Sequence, residues 1–214
     1  MINHLQIART AKCCTVLGPG KRAVLWLQGC LRRCPGCISP DTWSQEGGEI
    51  YTISELTDFI IGITDIEGIT FSGGEPMLQA EGIISLLDEI QHTNLSTMLY
   101  TGYTFEDLIE TGTPAQQELI ARLDILVDGT YMQQRHTSLY WRGSDNQRVL
   151  FLSERYRESW CERVKQNNDA PLEFEIDHDT VHWMGIPPKG FQSAFDEKLR
   201  TIGIDVIIQQ SVQP

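Results

Sequence analysis

Apolar residues along the chain fall into two alternating rhythms. Short, mostly apolar runs at 23–27, 68–71, 96–100 and 124–127 read as strands. Between them, residues 54–63, 77–92, 105–110 and 115–123 carry apolar positions near helical spacing, as with Leu78, Ile83, Ile84, Leu87 and Ile90 in the second segment. Thr52 or Ser54 can cap the first helix. The order strand, loop, helix, strand, helix, strand, helix, strand predicts a parallel sheet with helices outside it, because parallel strands need crossovers of this length. In such sheets the loops after the carboxyl ends of the strands carry function. Segments 30–37, 72–76, 101–103 and 128–131 all lie there and are expected to form one site.

After Tyr131 the pattern changes. Residues 141–147 are polar and turn-like, 148–152 read as a strand and 154–166 as a helix. A hairpin (172–176 with 181–186), a helix at 191–201 and an apolar run at 204–208 complete the chain, and Trp183 and Met184 are expected to pack within this tail. The division expected is a core of residues 1–152 and a C-terminal extension of residues 153–214 packed on it.

Composition narrows the function. The 214 residues include 17 Lys and Arg against 29 Asp and Glu, a net charge of −12, which disfavours nucleic acid and anionic membrane surfaces. No apolar stretch approaches the roughly 18 residues that span a bilayer, and the first residues lack a signal-peptide core, so a cytoplasmic protein is expected. Six cysteines in a reducing compartment read as metal ligands, catalytic groups or buried thiols rather than a disulfide framework. The charge is uneven: Arg9, Lys12, Lys21, Arg22, Arg32 and Arg33 all fall within residues 1–37, which contain no Asp or Glu.

Cys30, Cys34 and Cys37 close that basic segment. Three thiolates so close together can hold three corners of a four-iron cubane and leave the fourth iron open, since such clusters usually take four cysteines. Zinc, with a fourth ligand from Cys13, Cys14 or His4, and unliganded thiols are the other readings. Ser72-Gly73-Gly74-Glu75-Pro76 taken alone is a turn as readily as a ligand site, and Asp128 before Gly129 is a turn aspartate as readily as an acceptor for ribose hydroxyls. Arg142, Ser144, Asn146 and Gln147 suit a polar lid, a ligand contact, a partner surface or a solvated loop. A metal site at His178 and His182 is outweighed by surface polarity, and Cys13, Cys14 and Cys161 read as incidental thiols.

The spacing Cys30-x3-Cys34-x2-Cys37 after one strand, followed by Ser72–Pro76 after the next, resembles the radical S-adenosylmethionine (radical SAM) superfamily. Residues 15–150 resemble more closely the activating enzymes of anaerobic ribonucleotide reductase. That likeness runs through Gly18-Pro-Gly20, Gln28-Gly-Cys30, Asp41-Thr-Trp43, Tyr100-Thr-Gly-Tyr103, Val127-Asp-Gly129 and the segment from Arg142 to Gln147. The resemblance implies an α/β fold, a partial (βα) TIM-like barrel of parallel strands. It also implies a [4Fe-4S] cluster on Cys30, Cys34 and Cys37, and S-adenosyl-L-methionine (SAM) held by Ser72, Gly73, Gly74, Glu75, Thr101 and Asp128. Reductive cleavage of SAM, with an electron from flavodoxin or ferredoxin, would yield a 5′-deoxyadenosyl radical. That radical would take hydrogen from a glycine of the reductase subunit. Where activators of glycyl radical enzymes commonly carry His-Asn after the last cysteine, this chain has Ile38-Ser39. A small radical SAM enzyme acting on another protein, peptide or metabolite is therefore the alternative. By charge, Lys21, Arg22, Arg32 and Arg33 are expected to help dock an acidic electron donor.

Overall fold

A computed structural model describes residues 2–166, 170–177 and 180–204 of the chain. The polypeptide opens with an antiparallel pair, β1 (His4–Cys14) and β2 (Arg22–Leu27), and β3 (Glu49–Thr52) pairs with the other edge of β1. Then follow α1 (Ile53–Ile61), β4 (Gly68–Gly73), α2 (Ala80–Ile90), β5 (Ser96–Tyr100), α3 (Phe105–Thr111), α4 (Pro114–Ile120) and β6 (Ile125–Asp128). A small ribbon, β7 (His136–Leu139) and β8 (Arg142–Ser144), precedes β9 (Arg148–Phe151). The rest comprises α5 (Arg157–Gln166), the hairpin β10 (Leu172–Asp177) and β11 (Thr180–Gly185), and α6 (Phe191–Thr201).

Seven strands form one mixed sheet in the order β3-β1-β2-β4-β5-β6-β9. The central run β2, β4, β5 and β6 is parallel, joined by right-sized helical crossovers, as the alternation of periods predicts. The expectation of an all-parallel sheet is corrected at both edges: β1 and β3 on one side and β9 on the other run antiparallel. β1 escapes a reading by period because two register irregularities interrupt it, between Ile7 and Arg9 and between Ala11 and Cys14. A one-residue slip moves side chains to the opposite face. Leu5 and Ile7 accordingly pack on the helical side, whereas Ala11 and Cys14 pack on the other.

The helices cover one face. Ile53, Leu56, Ile60, Ile83, Leu86, Leu119 and Ile120 pack against Leu25, Leu27, Ile69, Phe71, Leu99 and Leu126, a continuous core in which each aliphatic side chain contributes about 1.5–3 kcal/mol. The other face is covered by the later part of the chain. Met184 sits on Cys14, Val24 and Trp26, while Trp141 and Val164 sit on Met98, Ile125 and Val127. Met184 thus packs on the sheet rather than within the tail, whereas Trp183 does pack there, edge-on to Phe191. Residue 178 and residues 205–208, which belong to the expected His pair and the last apolar run, lie outside the described residues. Among the described residues no helix is long and apolar enough to cross a membrane.

Arg22 corrects a charge-based expectation. It is fully buried, donating to the carbonyls of Pro19, Ile69 and Ser96 and to the hydroxyls of Thr70 and Ser96. It lies where β2 begins, the end of the strand opposite to the cysteine loop, and is closed off from any docking partner. A Cβ on Gly18, in the turn before it, would run into the Arg22 side chain, so Gly18 and Pro19 serve this buried guanidinium while Gly20 lies against Glu67.

Candidate active site

The four loops expected at one end of the sheet do meet there, held by hydrogen bonds between loops far apart in sequence. The cysteine loop leaves β2 with Gly29 N–H on the Thr42 carbonyl (2.8 Å) and Cys30 N–H on the Trp43 carbonyl (3.1 Å). The Gln28 amide adds a bond to the Ser44 carbonyl (2.8 Å), and a turn closes from Cys37 N–H to the Cys34 carbonyl (3.0 Å). These contacts account for Gln28-Gly-Cys30 and Asp41-Thr-Trp43 occurring together: one segment ties down the return of the other.

The loop after β4 is laid directly on this backbone. Gly74 N–H donates to the Leu27 carbonyl and Glu75 N–H to the Gly29 carbonyl, both at 2.8 Å. Gly73 adopts φ +96°, and a Cβ on Gly74 would stand 2.3 Å from the Gly29 oxygen. The two glycines therefore let two backbones touch. Ser72, last but one in β4, is paired in register with Trp26 of β2.

Glu75 is 2 % exposed and knits the loops together. Its Oε1 accepts from Thr101 Oγ1 (2.7 Å) and Met77 N–H (3.1 Å), and its Oε2 accepts from Gly102 N–H (2.8 Å). Through Met77 it also caps a 3-10 turn, Pro76–Gln79, that precedes α2, so the expected helix over 77–92 becomes α-helical only at Ala80. Burial pushes the Glu75 carboxyl above the ordinary range, against the pull of these donors and of Arg32.

Arg32, between the first two cysteines, reaches across the site. Its NH1 donates to Thr130 Oγ1 (2.9 Å), its Nε lies 3.6 Å from Glu75 Oε2, and its guanidinium carbon lies 4.1 Å from the centre of the Tyr103 ring. Thr130 in turn donates to the Gly102 carbonyl (2.9 Å).

Asp128 lies at the end of β6, fully buried. Its carboxylate accepts from Phe105 N–H (2.8 Å) and from Arg148, through Nε (3.0 Å) and NH2. Protein donors thus already engage both oxygens. The segment from Arg142 to Gln147 folds over the same loop: Gln147 donates to the Gly129 carbonyl and Asn146 to the Thr130 carbonyl, while Gln147 Oε1 accepts from Gly143 and Ser144 N–H. It is an ordered buttress, not a solvated loop.

All three cysteines of the loop are free thiols, Cys30 buried and Cys34 and Cys37 half-buried. Burial pushes the Cys34 and Cys37 thiols up, opposed by the Arg32 charge at Cys34 and by the Ser39 N–H and Trp43 side chain at Cys37. The Ser39 N–H points at Cys37 Sγ from 3.4 Å. Among the described residues no three His, Cys, Asp or Glu side chains converge as ligands of one ion would. Ligands on three corners of a cubane bind three different irons, so their sulfurs surround a larger centre than the ligands of one ion do.

Residues 16–150 match the family model of the 4Fe-4S single cluster domain. The chain belongs to that family. Its relatives include the anaerobic ribonucleoside-triphosphate reductase-activating protein of Enterobacteria phage T4, 34 % identical over 147 residues that cover 66 % of this chain and 90 % of the relative. The protein of that name from Vibrio cholerae serotype O1 is 37 % identical over 142 residues, 62 % of this chain and 88 % of its own. Pyruvate formate-lyase 1-activating enzyme of Escherichia coli (strain K12) is 29 % identical over 184 residues, 81 % of this chain and 70 % of the relative. Among solved structures, QueE from Escherichia coli aligns at 18 % identity over 47 % of this chain and 53 % of its own, with a TM-score of 0.38, too slight a likeness to argue from.

The family's span ends at residue 150, inside β9, so the four loops all lie within it and the extension lies beyond. Charge counting grouped Arg32 with the other basic residues and passed over its reach into the site. Its position inside the cysteine motif was the available signal. Trp43 turns its buried indole N–H toward the Cys37 thiol without a full hydrogen bond, as Arg32 Nε does toward Glu75.

Proposed function

We propose that the chain is a radical SAM activating enzyme for an anaerobic ribonucleoside-triphosphate reductase, with Cys30, Cys34 and Cys37 as ligands of its [4Fe-4S] cluster. The observation that carries this reading is the fastening of the cysteine loop, the Ser72–Pro76 loop, Thr101-Gly102 and Asp128–Thr130 to one another at the ends of four parallel strands. The residues fit the group: three free thiols in one loop and an N–H aimed at a sulfur.

Cluster and SAM together supply one-electron cleavage of a sulfonium to an alkyl radical. The protein's own residues do the holding. Ser72, Gly73 and Gly74 would present backbone to SAM, with Glu75 and Thr101 fixing the shape of that backbone from behind. Asp128 would keep the ribose side rigid through Arg148 and Phe105 N–H. No acid–base pair is needed. Met184, Trp141 and Val164 cover the face of the sheet away from the helices and keep its interior dry.

We read the sheet as the wall of a partial barrel open at its side, wide enough for a polypeptide loop carrying the glycine to be activated. Residues 1–152 would be the catalytic core and 153–214 an extension on it. The similarity to a pyruvate formate-lyase activating enzyme favours a second reading, another protein as the target. Flavodoxin or ferredoxin would supply the electron.

Anaerobic reconstitution with iron and sulfide, reduction and addition of SAM should give 5′-deoxyadenosine in the wild type and none in Cys34→Ala. If Cys34→Ala gives as much as the wild type, the ligand assignment fails. A glycyl EPR doublet on adding the reductase would establish the target; 5′-deoxyadenosine without a doublet would point to another substrate.

A further inference from the structure

The two basic residues inside the cysteine motif behave oppositely. Arg33 is exposed on a backbone with φ +45°, whereas Arg32 is turned inward although its neighbour Leu31 is 72 % exposed. Each contact that Arg32 makes belongs to a different strand-end loop: Glu75 after β4, Gly102 and Tyr103 after β5, Thr130 after β6. A Cβ on Gly102 would lie 2.3 Å from Arg32 Cδ, so the stem of the side chain is packed as closely as its head. A guanidinium can stack its flat face on Tyr103 while its edge serves Thr130 and Glu75; an ammonium cannot do both. The Nε is buried and lacks a full hydrogen bond, held near Glu75 Oε2 by charge and by the stack.

We propose that Arg32 is a positioning residue that clamps the cysteine loop onto Glu75, coupling the loop that holds the cluster to the loops that hold SAM. This rests on the assignment of Cys30, Cys34 and Cys37 to the cluster. Arg32, beside buried Glu75 and between Cys30 and Cys34 in sequence, would also set a positive charge near a cluster held by those cysteines. Its removal would make reduction harder and would release the Glu75 side chain and Tyr103 from the cysteine loop. An arginine spent in this way is not free to dock an electron donor.

The test compares wild type, Arg32→Gln, Arg32→Lys and Tyr103→Leu after anaerobic reconstitution. The readouts are iron and sulfide content, the midpoint potential of the cluster without SAM, and the dissociation constant for SAM. Arg32→Gln should shift the potential to more negative values and weaken SAM binding about tenfold, the size expected for a lost charge-assisted contact. Arg32→Lys should restore the potential but not the affinity, since it keeps the charge and loses the planar fit. Tyr103→Leu, which leaves the cysteine loop untouched, should weaken SAM binding in the same direction. Wild-type potential and SAM affinity in both Arg32→Gln and Tyr103→Leu would overturn the inference. Absence of a cluster from the wild type would overturn the ligand assignment and this inference together.

Discussion

Gly74 shows what a motif residue does once its surroundings are known. As a sequence feature it suggests room for a ligand; in the fold its Cα lies against the Gly29 carbonyl, where a Cβ would intrude to 2.3 Å. Gly74→Ala should therefore destabilise the apoprotein by about 1–3 kcal/mol in a urea titration, an overpacking cost that needs no cofactor to appear. Cys14 makes a different point. Burial against Val24, Trp26 and Met184 pushes its thiol from 9.0 up to about 11. The unfolded thiol ionises first, so this contribution to stability is complete below pH 9 and is lost as pH rises towards about 11. Urea midpoints at about pH 8 and about pH 10.5 should fall less between the two for Cys14→Val than for the wild type. The sequence identifies both residue types, but only their neighbours set the cost of changing them.

At the scale of elements, the segment after β11 is anchored to β7 through a defined histidine tautomer. The Pro187 carbonyl can only accept, so His136 Nε2 (2.9 Å away) carries the proton and Nδ1 accepts from Tyr131 OH at 3.0 Å. His136→Phe removes both bonds, and amides of β11 should then exchange with solvent about tenfold faster, measured by hydrogen–deuterium exchange. Unchanged exchange would show that Met184 packing and the bonds from Thr15 to Glu173 hold the hairpin. The central strands β2, β4, β5 and β6 were legible because each is a short, mostly apolar run between helical segments. β1 was not, since its irregularities break the two-residue period, and the β7–β8 ribbon was not, since its residues are polar and its bonds run to distant loops.

For the whole molecule, the basic segment of residues 1–37 divides between the two ends of β2. Lys21 is exposed and Arg22 buried where the strand begins, while Arg32 and Arg33 lie beyond its end, about 20 Å away for six extended residues. Electron transfer from an acidic donor should therefore slow in Arg33→Glu and be unaffected in Lys21→Glu, measured as the rate of cluster reduction over a range of salt. Equal slowing by both would mean a docking face that spans the sheet. By itself the sequence determined the chemistry, through three cysteines, a Gly-Gly-Glu-Pro turn and the strands that precede them, because spacing and apolar period are local properties. Tertiary structure alone decided that Glu75 and Asp128 are braced by protein donors, that Arg22 is core and that Arg32 faces the site. Those facts depend on contacts between residues 20 to 98 positions apart. No local pattern records such contacts; they exist only once the strands have aligned their ends.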